Sequence, residues 1–128
     1  MSRLKDQHAS IWEGLKQKSI PIIRPVPTDR YKNKWERDFA HSYLDPLVHS
    51  GILRGYCYEC IKLRLADGAF YCPDFFAPFA DEVLAIYEVK GWLREAARLR
   101  FLVARDLFPQ FQWHMMERKA GQWQDRKV

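Results

Sequence analysis

The stretch VLAIYEVK (83–90) constrains the fold more than any other part of the chain. Its apolar residues follow one another almost without interruption, and Gly91 comes directly after it. A near-continuous apolar run of this length is typical of a strand that is buried on both faces. We therefore expect this stretch to be a central strand of a layered domain that contains both helices and strands.

A β-hairpin is predicted before this strand. Its first arm, YCYECIKLRLA (56–66), alternates apolar and basic residues in the pattern of a half-buried strand. Asp67-Gly68 is a strong turn signal, and AFYCPDFF (69–76) is the returning strand. Residues 77–82 are then expected to form a loop.

A helix is predicted before the hairpin. It begins at Asn33, a good N-cap residue, and runs to Leu44. Asp45-Pro46 then stops or kinks it, and Asp45 is a candidate cap for a further short turn through His49. The apolar face of this helix comprises Trp35, Phe39, Ala40, Tyr43 and Leu44, with Glu36 in its middle.

A second helix is predicted from about Leu93 to Phe108, where Pro109 ends it. Its core stripe comprises Ala96, Leu99, Val103 and Leu107. Residues 111–116 form a short strand after it, and residues 121–128 form a last strand or a tail.

The predicted order is helix, strand, strand, strand, helix, strand, and the first three strands form a meander. Both helices pack on a mixed sheet, which makes this an α/β fold of the layered α+β kind. Residues 33–128 form this domain. Residues 1–32 precede it as a short helix (4–18) followed by the proline-rich arm IPIIRPVP (20–27).

Charge and hydropathy limit which partners and which cellular compartment the sequence suggests. The formal net charge is +5 over 128 residues, a basic excess that is compatible with nucleic acid but does not require it. No apolar run approaches the roughly 18–20 residues of a membrane span, so no membrane association is expected, and the start of the chain lacks the apolar stretch of a secretory signal.

The three cysteines are an odd number, which favours free, mostly buried thiols in a reducing cytoplasm. Cys57 and Cys60 have the spacing of zinc ligands. Residues three apart on a strand face opposite sides, however, so no zinc site is expected there.

A proline and an acid interrupt the returning strand at Pro73-Asp74, although neither residue type suits a strand. Asp74 is either a turn residue or a carboxylate held at a strand end for a ligand. Glu88 and Lys90 lie two residues apart on the next strand, so their side chains share one face near its end. If the strand ends meet, Asp74 joins them, and two close carboxylates favour a divalent cation such as Mg²⁺ or Mn²⁺. The alternative is an exposed ion pair between Glu88 and Lys90.

The segments FYCPDFF and IYEVKGW, followed by an arginine-rich helix that ends in LFP, resemble the PD-(D/E)xK nuclease superfamily. They are most similar to the small phage endonucleases of the endonuclease I type, which resolve Holliday junctions, and to related uncharacterised phage proteins. The resemblance covers roughly residues 33–116. It implies a restriction-endonuclease-like core and Mg²⁺-dependent hydrolysis of DNA with 5′-phosphate products, Mn²⁺ being a substitute cofactor.

The resemblance also implies roles for individual residues. Asp74, Glu88 and the Val89 carbonyl would bind the metal ion, and Lys90 would position the attacking water. Basic residues expected to contact DNA phosphates are Lys34, Arg37, Arg94, Arg98 and Arg105.

The superfamily usually adds an acid from the first helix. Glu36 is the preferred candidate, because a carboxylate on an apolar helix face is costly unless it is paired or bound to metal. Asp38 is the alternative, although it points away from that face. Either acid would act on the metal ion directly or through water.

By resemblance, branched DNA is the expected substrate. A homodimer is expected because resolving a symmetric junction takes two cuts, and the N-terminal helix with the arm would supply its contacts. A phage-encoded protein would act in the host cell cytoplasm. Two alternatives stay open: a nuclease of the same chemistry for nicked or linear duplex DNA, and a non-catalytic DNA- or protein-binding module on a nuclease fold.

Overall fold

The computed structural model describes residues 30–128. The helix predicted over 4–18 and the arm predicted over 20–27 lie outside the described residues. The helical elements are α1 (Lys34–Phe39), a π-helical segment (Ala40–Leu44), α2 (Asp45–His49) and α3 (Glu95–Leu107). The strands are β1 (Cys57–Tyr58), β2 (Leu63–Ala66), β3 (Ala69–Tyr71), β4 (Phe75–Pro78), β5 (Leu84–Val89), β6 (Gln112–Lys119) and β7 (Gln122–Asp125). Within 30–128, every helix is too short or too polar to cross a membrane.

The central strand predicted at 83–90 is β5. It occupies the middle of a five-stranded sheet of order β1-β4-β5-β6-β7. β5 is antiparallel to β4 and parallel to β6, so the sheet is mixed, as predicted. α3 makes the crossover that the parallel pair requires. The protein is therefore a mixed α/β domain with helices packed on a mixed sheet.

The sheet separates two apolar layers. One face packs against α1 and the π-helical segment, where Phe39 and Leu44 are fully buried. The other face packs against α3 and the β2–β3 hairpin. The buried residues of this second layer are Leu63, Tyr71, Phe101, Ala104 and Met115. Because side chains alternate along β5, Val89 faces the first layer and Glu88 is directed to the second.

α1 begins as predicted, because the Asn33 side chain accepts a hydrogen bond from the Glu36 N–H at 3.0 Å. The predicted apolar face is buried or half-buried except at Trp35, which is 44% exposed. Trp35 lies in the first turn, where its ring meets Trp123 edge-on. Trp35 therefore lies at the exposed edge of the predicted face, against Trp123 of β7 and beside Gly91.

The helix continues through Asp45-Pro46. The π-helical segment widens the turn, so that the Asp45 N–H bonds to the Ala40 carbonyl. Pro46 then lies in the first turn of α2, where its missing N–H costs little, and the short turn reaches His49 as predicted. Asp45 is not a cap, because its carboxylate instead accepts the Tyr56 hydroxyl at 2.6 Å.

The strand predicted over 56–66 is two strands, β1 and β2. The chain turns away at Glu59, whose backbone has a left-handed φ of 48°. This turn brings Cys57 and Cys60 together in a disulfide with Cα atoms 5.8 Å apart. The prediction of three free, mostly buried thiols is therefore wrong, because it assumed a continuous strand. Cys72 alone is free, and it is exposed.

The returning strand is also divided. Asp67-Gly68 forms the predicted turn, with Gly68 at a φ of 74°, and β3 follows. The chain leaves β3 over residues 72–74 and enters the main sheet as β4, which extends into the predicted loop as far as Pro78. The β2–β3 hairpin thus lies apart from the main sheet, and the meander consists of β1, β4 and β5.

α3 forms where predicted but buries a different face. Phe101 and Ala104 are 1% and 0% exposed. The predicted core stripe of Ala96, Leu99, Val103 and Leu107 is exposed instead. Helical spacing identified one apolar face correctly, but it did not show that the hairpin and sheet accept the aromatic residue on the opposite face.

Candidate active site

Asp74 immediately precedes β4, and Glu88 lies near the end of β5. These strands are antiparallel, with Phe75 paired to Tyr87. The start of β4 therefore lies beside the end of β5, so Asp74 is a neighbour of Glu88 although 14 residues separate them. The structure brings together the two carboxylates that the sequence placed at adjacent strand ends.

Two hydrogen bonds fix this pair to the backbone. The Asp74 N–H donates to Glu88 Oε1 at 3.1 Å, and the Val89 N–H donates to Asp74 Oδ2 at 2.9 Å. Asp74 and Glu88 are only 6% and 4% exposed. Both carboxylates are thus held in place by main-chain groups of neighbouring strands rather than by mobile side chains.

Burial raises the pKa of the Asp74 carboxyl group well above its usual range, and the Glu88 and Glu36 carboxylates raise it further. The Val89 N–H and the Lys90 ammonium oppose this rise. Burial also raises the pKa of Glu88. Two buried acids this close cannot both be charged without cost, and a bound cation or a shared proton removes that cost.

Lys90 projects beside the pair. Its Nζ lies 3.6 Å from Glu88 Oε2, and its side chain is 34% exposed. Residues 88 and 90 share a strand face, as the spacing predicts. The ammonium group therefore touches the acidic pair on one side and solvent on the other, where it can donate to water or to a phosphate oxygen.

Glu36 is the third carboxylate. It is 4% exposed and lines the same cleft as Asp74 and Glu88. The Tyr58 hydroxyl donates to Glu36 Oε2 at 2.5 Å and fixes its orientation. The alternative acid, Asp38, lies outside the lining of this cleft and within 4 Å of two arginines.

Two tyrosines of the site, Tyr58 and Tyr71, were not predicted from the sequence. Tyr58 holds Glu36 and also accepts the Lys32 N–H at 3.1 Å. The Tyr71 hydroxyl is buried close to the Glu88 carboxylate. Burial raises the pKa of the Tyr71 hydroxyl most, and the nearby negative charge of Glu88 raises it further. The packing of α1 on the sheet brings Tyr58 to Glu36, and the path of the chain from β3 into β4 brings Tyr71 to Glu88. The closeness of Tyr71 to Asp74 in sequence was the one available signal.

An open cleft of about 730 Å³ surrounds these groups. Its basic lining residues are Lys32, Lys62, Lys90, Arg94 and Arg100. Arg94 is the one residue among the five predicted DNA contacts that lines the cleft. Lys32, Lys62 and Arg100 were not predicted, because which basic residues line the cleft depends on how the hairpin and the helices pack on the sheet.

The other four predicted DNA contacts lie outside the cleft lining. Arg37 and Arg98 each pair with an acidic residue of their own helix. Arg105 lies 6.0 Å from the Phe101 ring centroid, and Lys34 is exposed. These residues could meet only DNA that extends beyond the cleft, and their role stays a prediction.

The donor chemistry of the site fits a hard divalent cation. Asp74 and Glu88 supply carboxylate oxygens, which suit Mg²⁺ and Mn²⁺, and a cation would offset their repulsion. Within residues 30–128, no three His, Cys, Asp or Glu side chains are gathered as a ready metal cage. The pair would therefore supply part of a coordination shell, and Mg²⁺ commonly completes such a shell with water and phosphate oxygens. The Val89 carbonyl as a ligand stays a prediction.

Fold and site together define a mixed α/β protein whose cleft combines buried carboxylates with a lysine. Comparison of the chain with protein-family models, with curated proteins and with solved structures finds no match in any of the three.

Proposed function

We propose that this protein is a metal-dependent DNA endonuclease with a restriction-endonuclease-like core of the PD-(D/E)xK kind. The observation that carries the proposal is the buried Asp74–Glu88 pair with Lys90 beside it in an open cleft. Two adjacent buried carboxylates destabilise a fold unless a cation or proton joins them. A binding module has no need of such a pair, whereas a metal-dependent hydrolase does.

Asp74, Glu88 and the Val89 carbonyl would hold Mg²⁺, which supplies Lewis acidity at the phosphodiester when bound. Glu36 would assist directly or through water, in the orientation that Tyr58 imposes. The backbone hydrogen bonds of the acidic pair keep its oxygens in place, so little reorganisation is needed when substrate arrives.

Lys90 would orient the attacking water, because its ammonium group reaches both Glu88 and the cleft. In the proposed reaction, water attacks phosphorus in line with the leaving 3′ oxygen. The P–O bond to that oxygen breaks, which leaves a 5′-phosphate and a 3′-hydroxyl. Lys90 balances the negative charge that develops on the phosphoryl oxygens.

Cations of the cleft lining, such as Lys62, Arg94 and Arg100, would contact the DNA backbone. We propose branched DNA as the substrate on the strength of the resemblance described above. The two cuts that resolve a junction make a homodimer the expected active form.

The test is cleavage of fluorescent four-way junction, flap and linear duplex DNA, with and without Mg²⁺. Asp74→Ala and Lys90→Ala should each slow cleavage by at least roughly 10²-fold while DNA binding persists. Asp81→Ala and Lys119→Ala, which alter an exposed acid and an exposed lysine outside the cleft, are the matched controls.

The site assignment is wrong if the Asp74 and Lys90 variants cut as fast as the parent. A parent that binds DNA or a protein but cuts none of the substrates with Mg²⁺ or Mn²⁺ is a binding module instead. Cleavage of linear duplex in preference to junctions would keep the chemistry and reject the branched substrate.

A further inference from the structure

Two large aromatic side chains are exposed in or next to the cleft that holds the acidic pair. Phe70, on β3, is 44% exposed and lines the cleft. Trp92 is 76% exposed and lies in the short segment between β5 and α3, between two residues that line the cleft, Lys90 and Arg94. Neither ring belongs to either apolar layer of the fold. Within the described residues, the two rings therefore do not contribute to the packing of the core.

Each exposed ring has a cation beside it. Lys62 Nζ lies 4.5 Å from the centroid of the Phe70 ring, and the Arg94 guanidinium carbon lies 5.5 Å from that of Trp92. Within residues 30–128, neither Lys62 nor Arg94 makes an ion pair with an acid. Each pair thus offers an aromatic surface next to an uncompensated positive charge.

A nucleotide matches this combination, because its base presents a π-face and its phosphate a negative charge. A flat aromatic ring can stack on a base only where the base has left the helical stack. In a perfect duplex, both faces of an internal base are covered by its neighbours. The ring–cation pairs therefore suit unpaired nucleotides rather than continuous duplex.

We propose that Phe70 and Trp92 stack on unpaired bases that flank the phosphate placed at the acidic pair, while Lys62 and Arg94 contact the adjoining phosphates. The substrate class is DNA with single-stranded nucleotides at the cleavage point, such as a flap, a fork or an opened branch. The positioning of these nucleotides at a cleavage site rests on the proposed nuclease function, whereas the stacking itself does not.

The test measures binding and stacking without cleavage. Oligonucleotides carry 2-aminopurine either in a three-nucleotide single-stranded flap or within a perfect duplex, and the buffer contains EDTA. The intact protein should quench the unpaired 2-aminopurine on binding and leave the paired one unchanged. This first measurement needs no variant, so it is independent of any folding defect.

Variants of Phe70 and Trp92 then test whether these two rings are responsible for the binding of unpaired bases. Phe70→Ala and Trp92→Ala should each weaken flap binding by roughly five- to 150-fold, the range of one lost base–aromatic stack, and duplex binding by less than about twofold. Trp92→Phe should retain most of the flap affinity, because an aromatic face remains. Ile52→Ala removes a similarly exposed apolar side chain that does not line the cleft, and it should change neither affinity.

Absence of quenching by the intact protein overturns the proposal, as does an equal loss of flap and duplex binding in the alanine variants. Unchanged flap binding in both variants overturns it as well. Quenching without any cleavage in Mg²⁺ supports the stacking surface and rejects the nuclease function. Cleavage without quenching keeps the nuclease and rejects the stacking surface.

Discussion

The main-chain N–H of Asp74 donates a hydrogen bond to the Glu88 carboxylate at 3.1 Å, across the junction of two antiparallel strands. The acidic pair is therefore part of the sheet itself. Its separation is set by strand register, which tolerates little adjustment. A site built in this way would need little ordering of its own side chains to bind a ligand.

Asp74→Asn should stabilise the metal-free protein. The amide removes one of two buried like charges, and its side-chain oxygen can still accept the Val89 N–H. We expect Tm in EDTA to rise by roughly 5–10 °C, which corresponds to about 1–2 kcal/mol in a domain of this size. Added Mn²⁺ should raise Tm of the parent but not of the variant, because binding stabilises only a fold that holds the ion. An Asp74→Asn variant that is less stable than the parent would contradict this account.

The pH dependence of stability should also show the cost of burying Asp74 and Glu88 as charged groups. The folded protein has raised carboxyl pKa values at Asp74 and Glu88, so above their usual values of 3.8 and 4.5 it binds more protons than the unfolded chain. Stability in EDTA should therefore fall as the pH rises from those values through the raised ones. Thermal melts from pH 4 to 8 should show the advantage of Asp74→Asn over the parent growing with pH. A constant difference between the two proteins would argue against the coupled pair.

Tyr58→Phe should weaken metal binding. The variant loses the hydrogen bond that orients Glu36, and removal of such a supporting contact typically costs about 10–100-fold in metal affinity. Titration calorimetry with Mn²⁺ measures this. Tyr56→Phe is the matched control, because Tyr56 is a buried tyrosine that donates to the Asp45 carboxylate outside the cleft. It should lose about 1–3 kcal/mol of stability and keep its metal affinity.

Arg100→Ala should reduce the salt dependence of DNA binding. Arg100 lines the cleft and forms no ion pair within the described residues 30–128, so its charge is available to a phosphate. Loss of one phosphate contact should reduce the slope of log K against log salt by about 0.9 for duplex DNA. Arg126→Ala is the control, because Arg126 pairs with Glu117 at 3.6 Å outside the cleft. Equal slopes for Arg100→Ala and the parent would exclude this contact.

The buried face of α3 can be tested with a pair of substitutions. Phe101→Ala removes a side chain that is 1% exposed and should cost about 3–5 kcal/mol in urea unfolding. Leu99→Ala alters a side chain that is 50% exposed and should change stability by no more than about 0.5 kcal/mol. The reverse ranking would show that the predicted stripe forms the core after all.

Features encoded by a few adjacent residues were predictable. The apolar run of β5, the Asn33 cap, the Asp67-Gly68 turn and the extent of α3 all follow from local chemistry and all appear in the structure. The proximity of Asp74 to Glu88 was also predictable, because it needs only two adjacent strand ends.

Features that depend on competing partners were not predictable. The strand over 56–66 ends at Glu59, and α3 buries Phe101 rather than Leu99. In both cases the local sequence is compatible with the predicted structure as well as with the observed one. Which of the two forms depends on the surface that the sheet and the hairpin offer for packing.

The amino-acid sequence by itself determined that this protein has a central buried strand, flanking helices and a set of acids and a lysine at strand ends, because these are local patterns of apolarity and spacing. The position of Glu36 on an apolar helix face also favoured it over Asp38 as a further acid. Only the tertiary structure decided that Tyr58 and Tyr71 lie beside these acids, and that Phe70 and Trp92 are exposed near the cleft. These residues come from separate elements. They come close only through strand register and layer packing, and the free energies that determine these arrangements belong to the whole chain rather than to any one segment.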